Sequence, residues 1–190
     1  MLPWKTLASE YALDVPWLRV RRETCQLPNG DIVDDYYLWE GSDWVAVFAL
    51  TVEGNVLLVR QYRQAVRQFA WELPGGVVDE GESAIEAARR ELREETGYRL
   101  EQGELVARME VDPPKATFHN HLVIAHGCRP AGLQSLDRTE EIEVTTLAPQ
   151  ELLAWIRQGR ITAQSTVACV YRALDILGQW APTEILDQQS

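Results

Sequence analysis

The sequence predicts an α/β fold in which a mixed β-sheet is sandwiched between α-helices, preceded by an N-terminal β-hairpin-like extension. Three observations carry this prediction. The apolar runs WVAVFALT and VLLVRQYR, parted by the turn Glu53-Gly54-Asn55, are long and β-branched enough to lie in a sheet covered on both faces. Between Ser83 and Gly97 the chain has strong helix formers throughout, with a capping residue before it and a stop after it. Near the C-terminus, QELLAWIRQG and STVACVYRALDIL read as two closing helices, the first opened by Pro149 and ended by Gly159. Strands interrupted by a few helices imply layers of helix on sheet.

Taken in chain order, the first ~40 residues alternate in a strand-like way, with LRVRRETCQL, the turn Pro28-Asn29-Gly30 and DIVDDYYLWE, a hairpin-like signal. The two core strands and the helix follow. ELVARMEV and HLVIAHGC then read as strands joined by DPPKATFHN, where Pro113 and Pro114 forbid regular pairing. His119 and His121 beside this loop are expected in a polar strand-edge role, and His126 in a structural one. EIEVTTLA supplies a last strand. The expected division is an extension over 1–43 and a domain over 44–190.

With 190 residues the chain can bury one sizeable core. Its 29 acidic against 18 basic residues give a net charge of −11, which argues against nucleic acid or an anionic membrane as partner. Cys25, Cys128 and Cys169 are odd in number and scattered, so reduced thiols and a cytoplasmic location are expected. No apolar run of ~20 residues and no signal peptide is visible.

The helix over 84–96 carries the chemistry. At about 100° per residue, Ile85, Ala88 and Leu92 share an apolar stripe, while Glu91, Glu94 and Glu95 cluster on an adjacent face. Like charges so placed repel one another, and no lysine at i+4 relieves them. Arg90 and Arg93 flank the cluster but are expected to point elsewhere, which leaves an external cation as the relief. Hard carboxylate oxygens without nearby cysteine or histidine favour Mg2+, with Mn2+ possible, over zinc.

The same segment follows a fixed pattern: Gly76, five residues, Glu82, seven residues, Arg90-Glu91, Leu92, any residue, Glu94-Glu95, any residue, Gly97 and Tyr98. It resembles the Nudix box at every fixed position. The resemblance implies the Nudix fold, divalent metal at Glu91, Glu94 and Glu95, and a pairing of Arg90 with Glu82 that braces the loop against the helix.

The run RQYRQAVRQFAWELPGG resembles, within that family, the ADP-ribose pyrophosphatase and nucleoside diphosphate sugar branch. By this resemblance Arg63 is the expected diphosphate contact with Arg60 a second candidate, Glu72 lines the site, and the Gly75 carbonyl completes the metal shell. The branch often has alanine at the Gly75 position. Pro113 falls past the box at a spacing associated with ADP-ribose preference. A loop carrying catalytic glutamates in that branch matches Glu140 and Glu141, with Asp137 an alternative base; Glu140 is also a metal candidate, and Glu94 a catalytic one. A metal lowers the pKa of bound water, so a carboxylate suffices as base.

The expected activity is Mg2+-dependent hydrolysis of ADP-ribose to AMP and ribose 5-phosphate. The alternatives are another nucleoside diphosphate derivative (GDP-mannose, NADH, a dinucleoside polyphosphate) or a non-catalytic ADP-ribose sensor. Trp17, Tyr36, Tyr37, Trp39 and Trp44 are candidates to stack on the base, Trp39 foremost, and the branch implies a homodimer that shares its sites.

Overall fold

The computed structural model describes residues 1–16 and 18–179, so Trp17 and the end of the expected 44–190 unit lie outside the described residues. Strands β1 (Lys5–Val15), β2 (Leu18–Gln26) and β3 (Ile32–Glu40) form an antiparallel sheet in the order β1-β2-β3. Within the hairpin-like piece expected over the first ~40 residues, β2 and β3 form the hairpin, its turn closed by Gly30 at φ 93 and by a bond from the Gly30 N–H to the Leu27 carbonyl. The third strand corrects the reading. All of β1 is exposed, so neither face is buried and the period-two pattern that marks a half-buried strand is lacking.

The larger sheet contains β4 (Trp44–Thr51), β5 (Val56–Arg63), β6 (Gln68–Glu72), β7 (Gly75–Val77), β8 (Tyr98–Arg99), β9 (Gln102–Glu110), β10 (His119–Pro130) and β11 (Glu143–Leu147). Its spine runs β11-β5-β4-β10-β8, with β6 on β5, β7 on β4 and β9 on β10. β4 and β10 are parallel and the other pairs antiparallel, which makes the sheet mixed. Helix α1 (Ala84–Thr96) covers one face; α2 (Pro149–Arg157) and α3 (Gln164–Ile176) cover the other.

Alternation along β4 divides the core between these layers. Val45, Val47 and Ala49 pack with Ala87, Ala88 and Leu92 of α1, while Phe48 and Leu50 pack with Leu152, Leu153, Val170 and Leu174. Burial on both faces is the reason WVAVFALT reads as a continuous apolar run. Each fully buried leucine here contributes ~2 kcal/mol through area removed from water.

Three features beyond the sequence reading shape the site. RQYRQAVRQFAWELPGG is a hairpin, β5 and β6, whose turn places Arg67 in the left-handed region at φ 54 without the usual glycine or asparagine to announce it. β4 and β5 pair at Leu50 and Val56, and β4 then pairs with β7 from Trp44 to Ala46. The last strand begins at Glu143, leaving Glu141 in the preceding loop.

His119 and His121 anchor the start of β10 to the residue before β4. Asp43 accepts from the His119 N–H at 2.9 Å and lies 2.8 Å from His121 Nε2. Both histidines thus serve a polar role beside the loop, at the start of a strand that is paired on both sides.

Candidate active site

Helix α1 is defined at both ends by its own sequence. Ser83 Oγ accepts from the Glu86 N–H while the Glu86 carboxylate accepts from the Ser83 N–H, a reciprocal cap of ~1 kcal/mol; Gly97 closes the helix at φ 72. With Ala87, Ala88 and Leu92 against the sheet, Glu91 and Glu95 face β7. There the backbone comes close: the Gly75 N–H donates to Glu95 Oε2 at 2.8 Å, and a Cβ on Gly76 would lie 2.3 Å from Glu91 Oε1. Gly75 itself sits at φ 155, and its Cβ would fall 2.0 Å from the Val45 carbonyl oxygen, so alanine there requires a different local backbone.

Arg90 ties the loop to the helix. Its Nε and Nη2 donate to the two Glu82 oxygens at 3.1 and 2.9 Å, and Nη2 also donates to the Val77 carbonyl at 2.9 Å. The Glu82 carboxyl is correspondingly held below the usual range, chiefly by Arg90. The expectation that Arg90 points away from the acidic cluster is wrong. Nη1 reaches Glu91 Oε1 at 2.7 Å and Glu94 Oε2 at 3.4 Å, because the guanidinium is broad enough to serve Glu82 with one edge and the helix carboxylates with the other. Its pKa is raised by Glu82 first and then by Glu91, against the effect of burial.

This internal cation relieves Glu91 and Glu94 in part and leaves Glu95 to the Gly75 N–H. Glu95 is 3% exposed, and burial pushes its carboxyl up to about 8, with Glu91 and Glu140 adding repulsion against the help of the Gly75 N–H and Arg63. Glu91 is also raised, by burial first and by Glu94 and Glu140 beside it.

Glu140 reaches this neighbourhood because the 131–142 loop satisfies the carbonyls that α1 leaves open at its C-terminus. The Ser135 N–H donates to the Glu94 carbonyl at 2.9 Å and the Ala131 N–H to the Gly97 carbonyl at 2.8 Å. Gln134 Nε2 bridges the Glu95 and Ile142 carbonyls at 2.5 and 3.1 Å. The Glu140 carboxylate in turn accepts from the Asp137 N–H at 3.0 Å.

A cleft of about 990 Å³ brings together Gly75, Glu91, Glu95, Glu140, Arg63 and Trp39 from among the expected residues, along with Gly76 and Arg90 of the box. Asp137, the alternative base, lines it as well. The other expected residues lie elsewhere. Glu72 stands behind Arg63 and takes its Nε and Nη2 on one oxygen at 3.0 and 2.5 Å. Glu94 is engaged by Arg90 beside the cleft, and Glu141 is exposed on the loop. Arg60 pairs with Glu143 at 3.2 Å and stacks over Phe69 and Trp71, away from the cleft lining.

Of the aromatic candidates, Trp39 and Trp44 line the cleft; Trp17 falls outside the described residues, and Tyr36 hydrogen-bonds to Pro114 instead. Phe118, Arg19 and Glu40 also line the cleft and were missed. Their local sequence carries no pattern that separates a cleft wall from an ordinary strand end.

Among the described residues no three His, Cys, Asp or Glu side chains converge as a closed metal cage. The donor set instead fits an open site for a hard divalent cation. It offers carboxylates whose mutual repulsion and burial leave Glu95 short of positive charge, and Mg2+ typically takes one or two protein carboxylates with water and phosphate oxygens filling the rest.

Comparison with known proteins agrees with this geometry. A model of the NUDIX domain matches residues 43–165, and a model of the nucleoside diphosphate sugar hydrolase N-terminal domain matches residues 4–39. A methanol dehydrogenase activator from Bacillus methanolicus is 31% identical over 167 residues, covering 87% of this chain and 90% of that protein. An ADP-ribose pyrophosphatase from Bacillus subtilis is 26% identical over the same coverage of both chains. A crystal structure of an ADP compounds hydrolase superposes with a TM-score of 0.82 over 95% of this chain and 98% of the other, at 20% identity, a likeness of fold.

Proposed function

The chain belongs to the Nudix hydrolase family, whose members generally use divalent metal ions, and from that premise we propose that it hydrolyses the diphosphate bond of a nucleoside diphosphate sugar, ADP-ribose foremost, with Mg2+. One observation carries the reading. A single cleft joins the carboxylates of buried Glu95, half-buried Glu91 and exposed Glu140 to an aromatic wall of Trp39, Trp44 and Phe118. A substrate with a charged diphosphate and a flat base matches both features. The relatives named as ADP-ribose pyrophosphatases, from Bacillus subtilis and from Mycobacterium tuberculosis, support the choice of sugar.

In this reading Glu91, Glu94 and Glu95 hold the cation, and the Gly75 carbonyl and Glu140 contribute to its shell. When bound, Mg2+ supplies charge neutralisation at the diphosphate and makes water more acidic. Arg63 donates to non-bridging phosphate oxygens, its fork oriented by Glu72. Glu140 accepts the proton of the attacking water, with Asp137 and Glu141 on the same loop as the alternative bases. Trp39 stacks on the base, and Glu82 with Arg90 keeps the loop and helix in register.

The extension over 1–43 is read as a dimerisation and base-binding element. The exposed β1 carries Leu7, Tyr11, Leu13 and Val15 on its surface, apolar area suited to a second copy of the chain. Among the described residues no helix is long and apolar enough to cross a membrane.

The deciding experiment is a turnover panel with Mg2+ across ADP-ribose, GDP-mannose, NADH and a dinucleoside polyphosphate, with products identified by mass. AMP and ribose 5-phosphate from ADP-ribose at the highest kcat/KM supports the reading. A higher kcat/KM on any other member reassigns the substrate, and absence of turnover on all of them overturns the proposal.

A further inference from the structure

The proline-containing loop between β9 and β10 is fastened to the N-terminal sheet by contacts that hydrolysis itself does not use. The Trp39 N–H donates to the Lys115 carbonyl at 2.6 Å, and the Thr117 N–H donates to the Trp39 carbonyl at 3.1 Å, a short parallel bridge across Ala116. Two side-chain contacts reinforce it. Tyr36 donates its hydroxyl to the Pro114 carbonyl at 2.5 Å, and the Lys115 ammonium stands 4.6 Å above the centre of the Tyr36 ring.

The bridge leads directly into the cleft wall. Phe118 packs edge-on to Trp39 with centroids 4.7 Å apart, and Gly41 leaves room for it, since a Cβ there would lie 3.0 Å from the Phe118 ring. Trp39, Thr117 and Phe118 all line the cleft. The wall is therefore assembled from two segments, β3 and the loop, whose relative position the bridge determines. Loop bonds at an exposed surface open readily, because water competes for them and each ordered residue loses conformational entropy. Pro113 and Pro114 reduce that loss by fixing φ beforehand, and the Tyr36 and Lys115 contacts hold what remains.

We propose that Tyr36 and Lys115 form a clamp that sets the position of Trp39 against Phe118 and so selects substrates by the flat group at their non-reacting end. Tyr36 is then a positioning residue, acting through Trp39. The proposal rests on the reading of Trp39 as the wall that meets the base. It also gives the Pro113 loop a physical role, since the prolines then act on the base end of the cleft, remote from the diphosphate.

The test uses Tyr36→Phe, Lys115→Met and Lys115→Arg in the full chain, with ADP-ribose and an abasic counterpart bearing 1-deoxyribose in place of adenosine. Loss of one hydrogen bond in Tyr36→Phe raises KM for ADP-ribose about five-fold at unchanged kcat. Lys115→Met raises it about three-fold, and Lys115→Arg, which keeps a cation over the ring, restores it. KM for the abasic compound stays at the wild-type value in all three. Hydrogen exchange at the Trp39 and Thr117 amides of the ligand-free protein accelerates in Tyr36→Phe. The clamp is overturned by a KM that rises equally for both substrates, or by faster exchange with KM unchanged. Should wild-type protein leave ADP-ribose intact, the substrate reading fails on that result alone, and the same pair of measurements on the best substrate of the panel decides the clamp.

Discussion

Glu95→Gln is expected to stabilise the metal-free protein while abolishing metal-dependent turnover. Glu95 is 3% exposed and its carboxyl is raised from 4.5 to about 8, by burial first. For a carboxyl raised on folding, the folded state binds more protons than the unfolded state between these two values, so stability declines as pH rises through that window. Below about pH 4.5 both states are protonated and the penalty vanishes; above pH 8 it is complete. At pH 7 the penalty spans about 2.5 units, or ~3 kcal/mol at 1.36 kcal/mol per unit.

Glutamine removes the charge and keeps an oxygen for the Gly75 N–H, while its amide needs a new acceptor at a cost of ~1 kcal/mol. The net gain of ~2 kcal/mol corresponds to a Tm about 4–8 °C higher in EDTA at pH 7 for a domain of this size. The assay is a pair of thermal melts, in EDTA and in Mg2+, from pH 5 to 8, beside a rate measurement. Mg2+ raises the Tm of wild type through binding linkage and leaves the variant nearly unmoved. Equal or lower stability of the variant in EDTA at pH 8 would refute the burial argument, and retained turnover would refute the metal role.

Gly76→Ala places a methyl group 2.3 Å from Glu91 Oε1; that flexible carboxylate can swing aside, so stability changes by less than ~1 kcal/mol while the Mg2+ concentration for half-maximal rate rises at least about ten-fold. Gln134→Ala removes the bridge between the Glu95 and Ile142 carbonyls and frees the Glu140 loop, lowering kcat about ten-fold with a smaller change in KM, readable by steady-state kinetics. Asp43→Asn tests the β4–β10 anchor. Burial opposes ionisation of Asp43, but bonds from His121 and His119 outweigh it and lower its pKa below 3.8. Its contribution is therefore present above pH 3.8 and lost as pH falls through the lowered value, so urea melts of wild type and Asn variant differ by ~1 kcal/mol at pH 6 and converge as pH falls below 3.8.

The legible part of the site is the part built within one helix and its flanking turns. Ser83, Gly97 and the spacing of Glu91, Glu94 and Glu95 are local, and helix periodicity turns them into a face without any knowledge of the rest of the chain. The Glu82 and Arg90 brace also spans a short separation, and its pairing was expected from the resemblance. The second half of Arg90's role was misjudged, since one-turn spacing rules treat a side chain as a direction, whereas a guanidinium reaches two partners at once.

What distance in sequence conceals is what the tertiary structure decided. Arg60 and Arg63 share one strand but, three residues apart, point to opposite faces; only the packing of the sheet decides that Arg63's face meets the cleft while Arg60 pairs with Glu143. Glu140 and Glu141 are neighbours of the same type; loop anchoring to the open carbonyls of α1 places the first in the cleft and leaves the second in solvent. The sequence by itself determined the helix, its acidic face, the two-faced core and the reaction family, because each rests on contacts within a few residues or on simple alternation. The aromatic wall, the burial that raises Glu95 and the choice among equivalent acids depend on which distant segments meet, and only packing of the folded chain sets that.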